Sequence, residues 1–166
     1  MKKVKCHKCG QYHDWDAVEV VFKYPKKYFD ISEDERSHRV KTNDEICIID
    51  GSAYYLRGLL PFVTTVDHKK KYCWGVWIRV NEETYKVIYD NWDLEDQSHL
   101  TGLKGYLANE IAFYKDTLDK DVKIVLTGNE TRPEFYFTMD KRLMKIQSNK
   151  LDESDLIDIY HYHFKN

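Results

Sequence analysis

Two cysteines close to the start of the chain constrain its fold more than any other feature of the sequence. Cys6 and Cys9 lie in the segment KCHKCGQYHDW (residues 5–15), and their spacing lets both thiolates bind one metal ion. Gly10 follows the second cysteine, and glycine readily adopts the positive φ that turns backbone amides toward the sulfurs. His13 is within reach as a third ligand. The pattern predicts a zinc-knuckle-like segment over residues 1–16.

A single CxxC motif supplies only half of a zinc site, and no second CxxC, CxxH or HxxxH occurs in the sequence. The fourth ligand must therefore be an isolated residue. We favour Cys47, because it lies in a predicted strand of the best-defined hairpin. Cys73 stands beside Trp74 in an apolar run and is expected to be an inert buried cysteine. The remaining candidates are histidines: His7, His38, His68, His99, His161 and His163.

Three alternatives to a structural zinc site stay open. The cysteines could be a reduced pair in an N-terminal turn, or a redox pair like that of thioredoxin, although GQYHD does not favour the helix that such a motif opens. A zinc ion held by Cys6, Cys9 and His13 alone would keep an open position, as catalytic sites do. Asp14 or Asp50 would then be the base of a small zinc-dependent hydrolase or lyase. The HxE and HExxH motifs are absent, so we expect a structural zinc ion.

Alternation and turn signals predict one α+β domain over residues 1–166, with a mainly antiparallel β-sheet and about three helices. Asp50–Gly51 between two β-rich runs predicts a hairpin in which Cys47 and Ile49 share one face. Helices are predicted after a capping box that begins at Ser32, after Asn81, and in the segment DESDLIDIYHYHF. Further strands are predicted at 18–22, 59–66, 72–80, 122–128 and 133–137.

Four charged residues lie on or near adjacent predicted strands: Asp50, Arg57, Asp67 and Arg79. They could line a polar pocket, but cross-strand surface ion pairs explain them more simply.

Composition narrows the possible partners and location. The net charge is −2, from 26 basic and 28 acidic residues, so the chain lacks the concentrated basic surface that nucleic acid requires. No apolar run approaches the roughly 20 residues that span a bilayer, and no signal peptide is visible. We therefore expect no membrane partner and a cytoplasmic location, where thiols stay reduced, and nucleic acid is disfavoured as the main partner.

Six segments occur in an order that resembles the bacterial domain-of-unknown-function family 2199. They are CHKCGQYH, ISEDERSHRV, CIIDGSAYYLRG, WGVWIRVNEETY, GYLANEI and YKDTL, and the similarity runs from Cys6 to about Pro133. The resemblance implies that Cys6, Cys9, His13 and Cys47 belong together and that Cys73 is not a ligand. It implies no activity.

The absence of catalytic motifs, together with a high aromatic content of 14%, favours a non-enzymatic, protein-binding role. A cognate toxin-neutralising (immunity) protein with structural zinc is the specific hypothesis. Its rival is the small zinc-dependent hydrolase or lyase described above. A third hypothesis is single-stranded nucleic-acid binding by stacked tyrosines.

Overall fold

The computed structural model of the chain describes residues 3–14, 19–65 and 71–164. Within these ranges the chain forms nine strands and five helices. The strands are β1 (Lys3–Lys5), β2 (Tyr12–Asp14), β3 (Val40–Thr42), β4 (Ile46–Ile49), β5 (Ala53–Phe62), β6 (Tyr72–Val80), β7 (Lys104–Leu107), β8 (Asp121–Val125) and β9 (Glu134–Phe137). The helices are α1 (Lys26–Phe29), α2 (Glu33–Arg39), α3 (Glu82–Asp90), α4 (Lys141–Ser148) and α5 (Glu153–Phe164).

Strands β3 to β9 form one sheet in chain order, and each of these strands is antiparallel to the next. A parallel contact between β5 and β9, at Leu59 and Glu134, closes the last five strands into a barrel. The predicted mainly antiparallel sheet is therefore corrected to a mixed sheet that curls back on itself. The α+β class is confirmed. Strands β1 and β2 form a separate antiparallel hairpin.

Barrel closure depends on β5, which has three neighbours. Its first half pairs with β4, its whole length pairs with β6, and Leu59 meets β9. Gly58 makes the third contact possible, because a Cβ atom there would overlap the Phe135 ring and lie 2.6 Å from the carbonyl oxygen of Pro133. The Leu59 amide donates to that same carbonyl at 2.8 Å.

Two buried clusters pack on opposite faces of β6. Trp74 belongs to the main cluster, while Trp77 belongs to the second, since residues three apart on a strand point to opposite faces. The buried Gln147 side chain ties α4 to the barrel: it accepts from the Phe137 amide at 2.8 Å and donates to the carbonyls of Phe135 and Pro61. The barrel is thus held by both apolar packing and satisfied backbone groups.

Most local turn and helix predictions are confirmed. Asp50 and Gly51 both have positive φ, 55° and 64°, and join β4 to β5 as predicted. The Asn81 side chain accepts from the Thr84 amide at 2.8 Å and caps α3. Helix α2 begins after Ser32, but its hydroxyl donates to the Glu35 carboxylate at 3.0 Å instead of accepting from the backbone.

Other predictions are corrected. There are five helices in the described residues instead of about three, because α1 and α4 were not predicted. The predicted strand at 18–22 reduces, in its described part, to one isolated bridge between Val21 and Gly75. Asp67 and the tip of the hairpin between β5 and β6 lie outside the described residues. No helix in the described ranges is long and apolar enough to cross a membrane.

We expect Gly58→Ala to lower the free energy of unfolding by roughly 1–3 kcal/mol, since the added methyl group overpacks the junction between β5 and β9. Urea unfolding followed by circular dichroism measures the change. Lys104→Ala, at an exposed position on β7, is the control and should stay within about 0.5 kcal/mol of the native protein. Equal effects of the two substitutions would show that closure does not depend on Gly58.

Candidate metal centre

The β1–β2 hairpin presents three of the predicted ligands. Its register places Val4 opposite His13, so the chain turns back between them. The amide of Gly10, with a φ of 73°, donates to the Cys6 carbonyl at 2.8 Å, and the Cys6 amide donates to the Gln11 carbonyl at the same distance. This tight turn brings Cys6, Cys9 and His13 to one end of the hairpin.

A fourth donor comes from the other end of the chain. One ligand atom from each of Cys6, Cys9, His13 and His161 lies within 4.8 Å of the other three. The Cys6 Sγ to His161 Nε2 distance is 2.7 Å, and the Cys9 Sγ to His13 Nε2 distance is 3.2 Å. Zinc binds sulfur and nitrogen at about 2.0–2.3 Å, so small side-chain adjustments would let one ion reach all four atoms. The donor set is two thiols and two imidazoles.

Helix α5 holds His161 by its own contacts with the barrel. Leu156, Ile157 and Ile159 are buried in the main cluster. Asp152 and Asp155 cap the helix reciprocally, because each side chain accepts from the other residue's amide at 2.9 Å. Just before this cap, Leu151 bridges Thr64 near the end of β5. The position of His161 is therefore fixed by the barrel.

Cys6 has the environment of a thiolate ligand. It is only 1% exposed, and the amides of Lys8 and Cys9 donate to its sulfur at 3.3 and 3.4 Å. Burial raises the pKa of the Cys6 thiol, but those two hydrogen bonds, the Cys9 thiol and the charge of Lys8 outweigh it, so the pKa lies below its ordinary value. A lowered pKa favours the deprotonated form that binds metal.

Further contacts join the hairpin to α5. Lys8 Nζ lies 3.0 Å from the Asp158 carboxylate, and His7 Nε2 lies 3.8 Å from it. The rings of His13 and Tyr160 lie 4.6 Å apart, centroid to centroid. These contacts orient the two elements but are largely exposed to solvent.

The expected fourth ligand, Cys47, is not part of this group. It is fully buried in β4 within the second cluster, beside Ile49, Tyr55 and Trp77. Burial raises the pKa of the Cys47 thiol, and a hydrogen bond with Thr42 only partly offsets this rise. Cys47 thus belongs to the second cluster, whereas Cys6 packs in the main cluster. Cys73 also lies outside the group and is partly exposed on β6.

Asp50, one of the two bases considered for a catalytic site, is not in the donor group. Asp50 accepts two hydrogen bonds from Arg39, at 2.8 and 2.9 Å, at the turn between β4 and β5. That pairing holds the pKa of Asp50 below its usual range. The side chain of Asp14 lies outside the described part of the structure.

His161 was only one of several candidate histidines in the sequence. The HYH tripeptide indicates that the two histidines have different neighbours, since residues two apart on a helix point in different directions. His161 points toward the cysteines, whereas His163 packs edge-on against Trp74 with ring centroids 5.1 Å apart. The sequence alone did not indicate which direction faces the hairpin.

Comparison with known families places the chain among bacterial proteins. The model of the family described as an uncharacterized protein conserved in bacteria (DUF2199) matches residues 5–149. The chain belongs to this family. In this DUF2199 protein the matched range includes Cys6, Cys9 and His13, while His161 lies beyond it. No curated protein and no solved structure matches the chain.

We expect Asp158→Asn to change the free energy of unfolding by less than about 1 kcal/mol, because its ion pair with Lys8 is exposed to solvent. Urea unfolding at low and high salt measures the effect, which should shrink as salt screens the pair. A loss of several kcal/mol would show that this ion pair, rather than the donor cluster, fastens the hairpin to α5.

Proposed function

We propose that the protein binds one structural Zn²⁺ ion through Cys6, Cys9, His13 and His161. The observation that supports this most is the convergence of four donor atoms from the two ends of the chain. Two thiolates and two imidazoles match the Cys₂His₂ ligand set of structural zinc sites. The role of the ion is to hold the β1–β2 hairpin against α5.

A fourth protein ligand favours structure over catalysis. Catalytic zinc sites generally use three protein ligands and keep one position for water or substrate. Here His161 supplies the donor that would occupy that position, and Asp50 is engaged with Arg39. The alternative of a zinc-dependent hydrolase or lyase therefore has less support than a closed site.

The hairpin itself explains why an ion is needed. Strands β1 and β2 have three residues each, and an isolated two-stranded hairpin is marginally stable in water. Cys6 and His161 are 155 residues apart, so their free energy of binding to one ion contributes directly to folding. The barrel closes through its own strand pairing and does not need the ion.

The purified native protein should contain about one zinc ion per chain. His161→Ala and Cys6→Ser should each weaken zinc binding by at least roughly tenfold, since even the loss of a residue that only orients a ligand costs that much. Competition with a chromophoric chelator and elemental analysis measure affinity and content. Cys47→Ala is the matched control and should bind zinc like the native protein.

Two results would contradict the site. Native-like zinc affinity in His161→Ala would remove His161 from the ligand set, and loss of zinc in Cys47→Ala would restore the ligand expected from sequence. Cobalt substitution separates a closed site from an open one, because an open site takes up an added azide ion and changes its visible spectrum.

Chelation of zinc should loosen the two ends of the chain and leave the barrel intact. Hydrogen exchange followed by mass spectrometry should show faster exchange in residues 3–14 and in the last turns of α5, with little change in β5 and β6. The measurement compares the zinc-loaded protein with the same protein after chelation. Global unfolding on chelation would mean that the barrel itself depends on the ion.

For the biological role we propose a non-enzymatic protein-binding module whose partner is a toxin. The support is the absence of catalytic motifs and the closed donor set. The test is isolation of the tagged, zinc-loaded protein from its source bacterium after chemical cross-linking. A one-to-one partner that arrests growth when expressed alone, and no longer does so when co-expressed with this protein, would support the role; a harmless partner or none would reject it.

A further inference from the structure

A cleft of about 460 Å³ opens between α1 and the barrel, away from the donor cluster. Its charged and hydroxyl-bearing lining residues are Lys26, Lys27, Asp30, Tyr55, Arg79 and Asp119. Sites for small molecules commonly have volumes of about 300–1,000 Å³. The cleft is therefore large enough for a small metabolite.

Tyr55 is the first reason to regard this cleft as a binding site. Its side chain is only 5% exposed, yet its hydroxyl makes no hydrogen bond with any residue in the described ranges. Because the hydroxyl remains accessible to solvent from the cleft, it can donate to a bound ligand. Burial raises the pKa of Tyr55, with partial opposition from Arg79, so the hydroxyl stays protonated and available as a donor.

The charges of the cleft are the second reason. Lys27 is paired with Asp30 at 3.7 Å, but Lys26 and Arg79 form no ion pair within the described part of the chain. Arg79 on β6 lies directly opposite Tyr55 on β5. Its guanidinium lies over the Tyr106 ring, 5.0 Å from the ring centroid. Among the described residues, Lys26, Arg79 and Asp119 line the cleft without an ion-pair partner, so two positive charges outnumber one negative charge beside the Tyr55 hydroxyl.

Hydrogen bonds hold the walls of the cleft in place before any ligand binds. The Lys26 amide donates to the Ala108 carbonyl, and the Ala108 amide donates to the Trp77 carbonyl, both at 2.8 Å. The buried Asn109 side chain accepts from the Trp77 amide at 2.8 Å and donates to the Tyr24 carbonyl at 3.0 Å. Together these bonds hold α1 at the end of β7, so little ordering is required when a ligand binds.

We propose that this cleft binds a small organic carboxylate, held by Arg79 and Lys26 and by the Tyr55 hydroxyl. A guanidinium presents paired donors that match a carboxylate, and the hydroxyl adds a directed hydrogen bond. The aromatic ring of Tyr55 and the side chains of Ala108 and Leu118 supply surface for the carbon skeleton. This site is independent of the zinc ion.

Isothermal titration calorimetry of the zinc-loaded full-length protein tests the proposal, with benzoate and succinate as probes and benzylamine as the cationic counterpart of benzoate. We expect saturable binding of at least one carboxylate, with a Kd on the order of a millimolar or tighter, and none of benzylamine. Arg79→Gln should weaken binding about tenfold or more, and Tyr55→Phe a few-fold. Arg79→Lys should recover part of the affinity.

The matched control is Lys104→Gln, which removes an exposed positive charge outside the cleft and should bind the carboxylates like the native protein. Near-ultraviolet circular dichroism of each variant checks that the fold is retained. Absence of saturable binding of both carboxylates up to roughly 10 mM, or equal binding by folded Arg79→Gln, would overturn the proposal. Binding of inorganic phosphate without binding of either carboxylate would reject the ligand class.

Discussion

Closure of the barrel depends on the close approach of β5 and β9 at Gly58, because β4 pairs with β5 only as far as Leu56 and β9 meets β5 beyond that point, at Leu59. A side chain at position 58 would occupy the space of the Phe135 ring. With the two strands in contact, the apolar faces of five strands enclose one core, and the remaining elements pack against it. Helices α4 and α5 both take their positions from that core.

The two ends of the chain meet because the barrel places α5 beside the N-terminal hairpin. The helix is held by buried side chains and by its cap, so His161 arrives at a fixed position. In the hairpin, Cys6 also packs into the main core. A metal ion is a physically reasonable device here, since four ligand bonds can replace the packing that short strands cannot provide.

The two candidate sites use different chemistry in different parts of the molecule. The donor cluster brings four potential ligand atoms within 4.8 Å of one another, an arrangement that suits a structural metal ion. The cleft beside α1 is lined by Lys26 and Arg79, which form no ion pair within the described residues, and by a solvent-accessible tyrosine hydroxyl, which suits recognition of an anion. Cys47 belongs to neither site. It packs in the second cluster, on the strand next to Tyr55.

Local patterns determined much of the fold. The Asp50–Gly51 turn, the Asn81 cap, the alternation of Cys47 and Ile49 and the last helix follow from short-range chemistry, and each is present. Elements without a strong local signal were not predicted; α1 has four residues and begins after a proline. The strand expected at 18–22 had the right composition, but in its described part only Val21 has a strand neighbour.

By itself the sequence determined that two thiols and one imidazole converge near residue 10, because a CxxC motif and a histidine four residues later are confined to one turn of the chain. It could not determine the fourth donor. A strand cysteine and a helix histidine were both compatible with the sequence, and it is tertiary packing that places His161, and not Cys47, beside the other three donors. Packing of Leu156, Ile157 and Ile159 in the main cluster sets which face of α5 meets the hairpin, and no local rule encodes a contact between residues 155 positions apart.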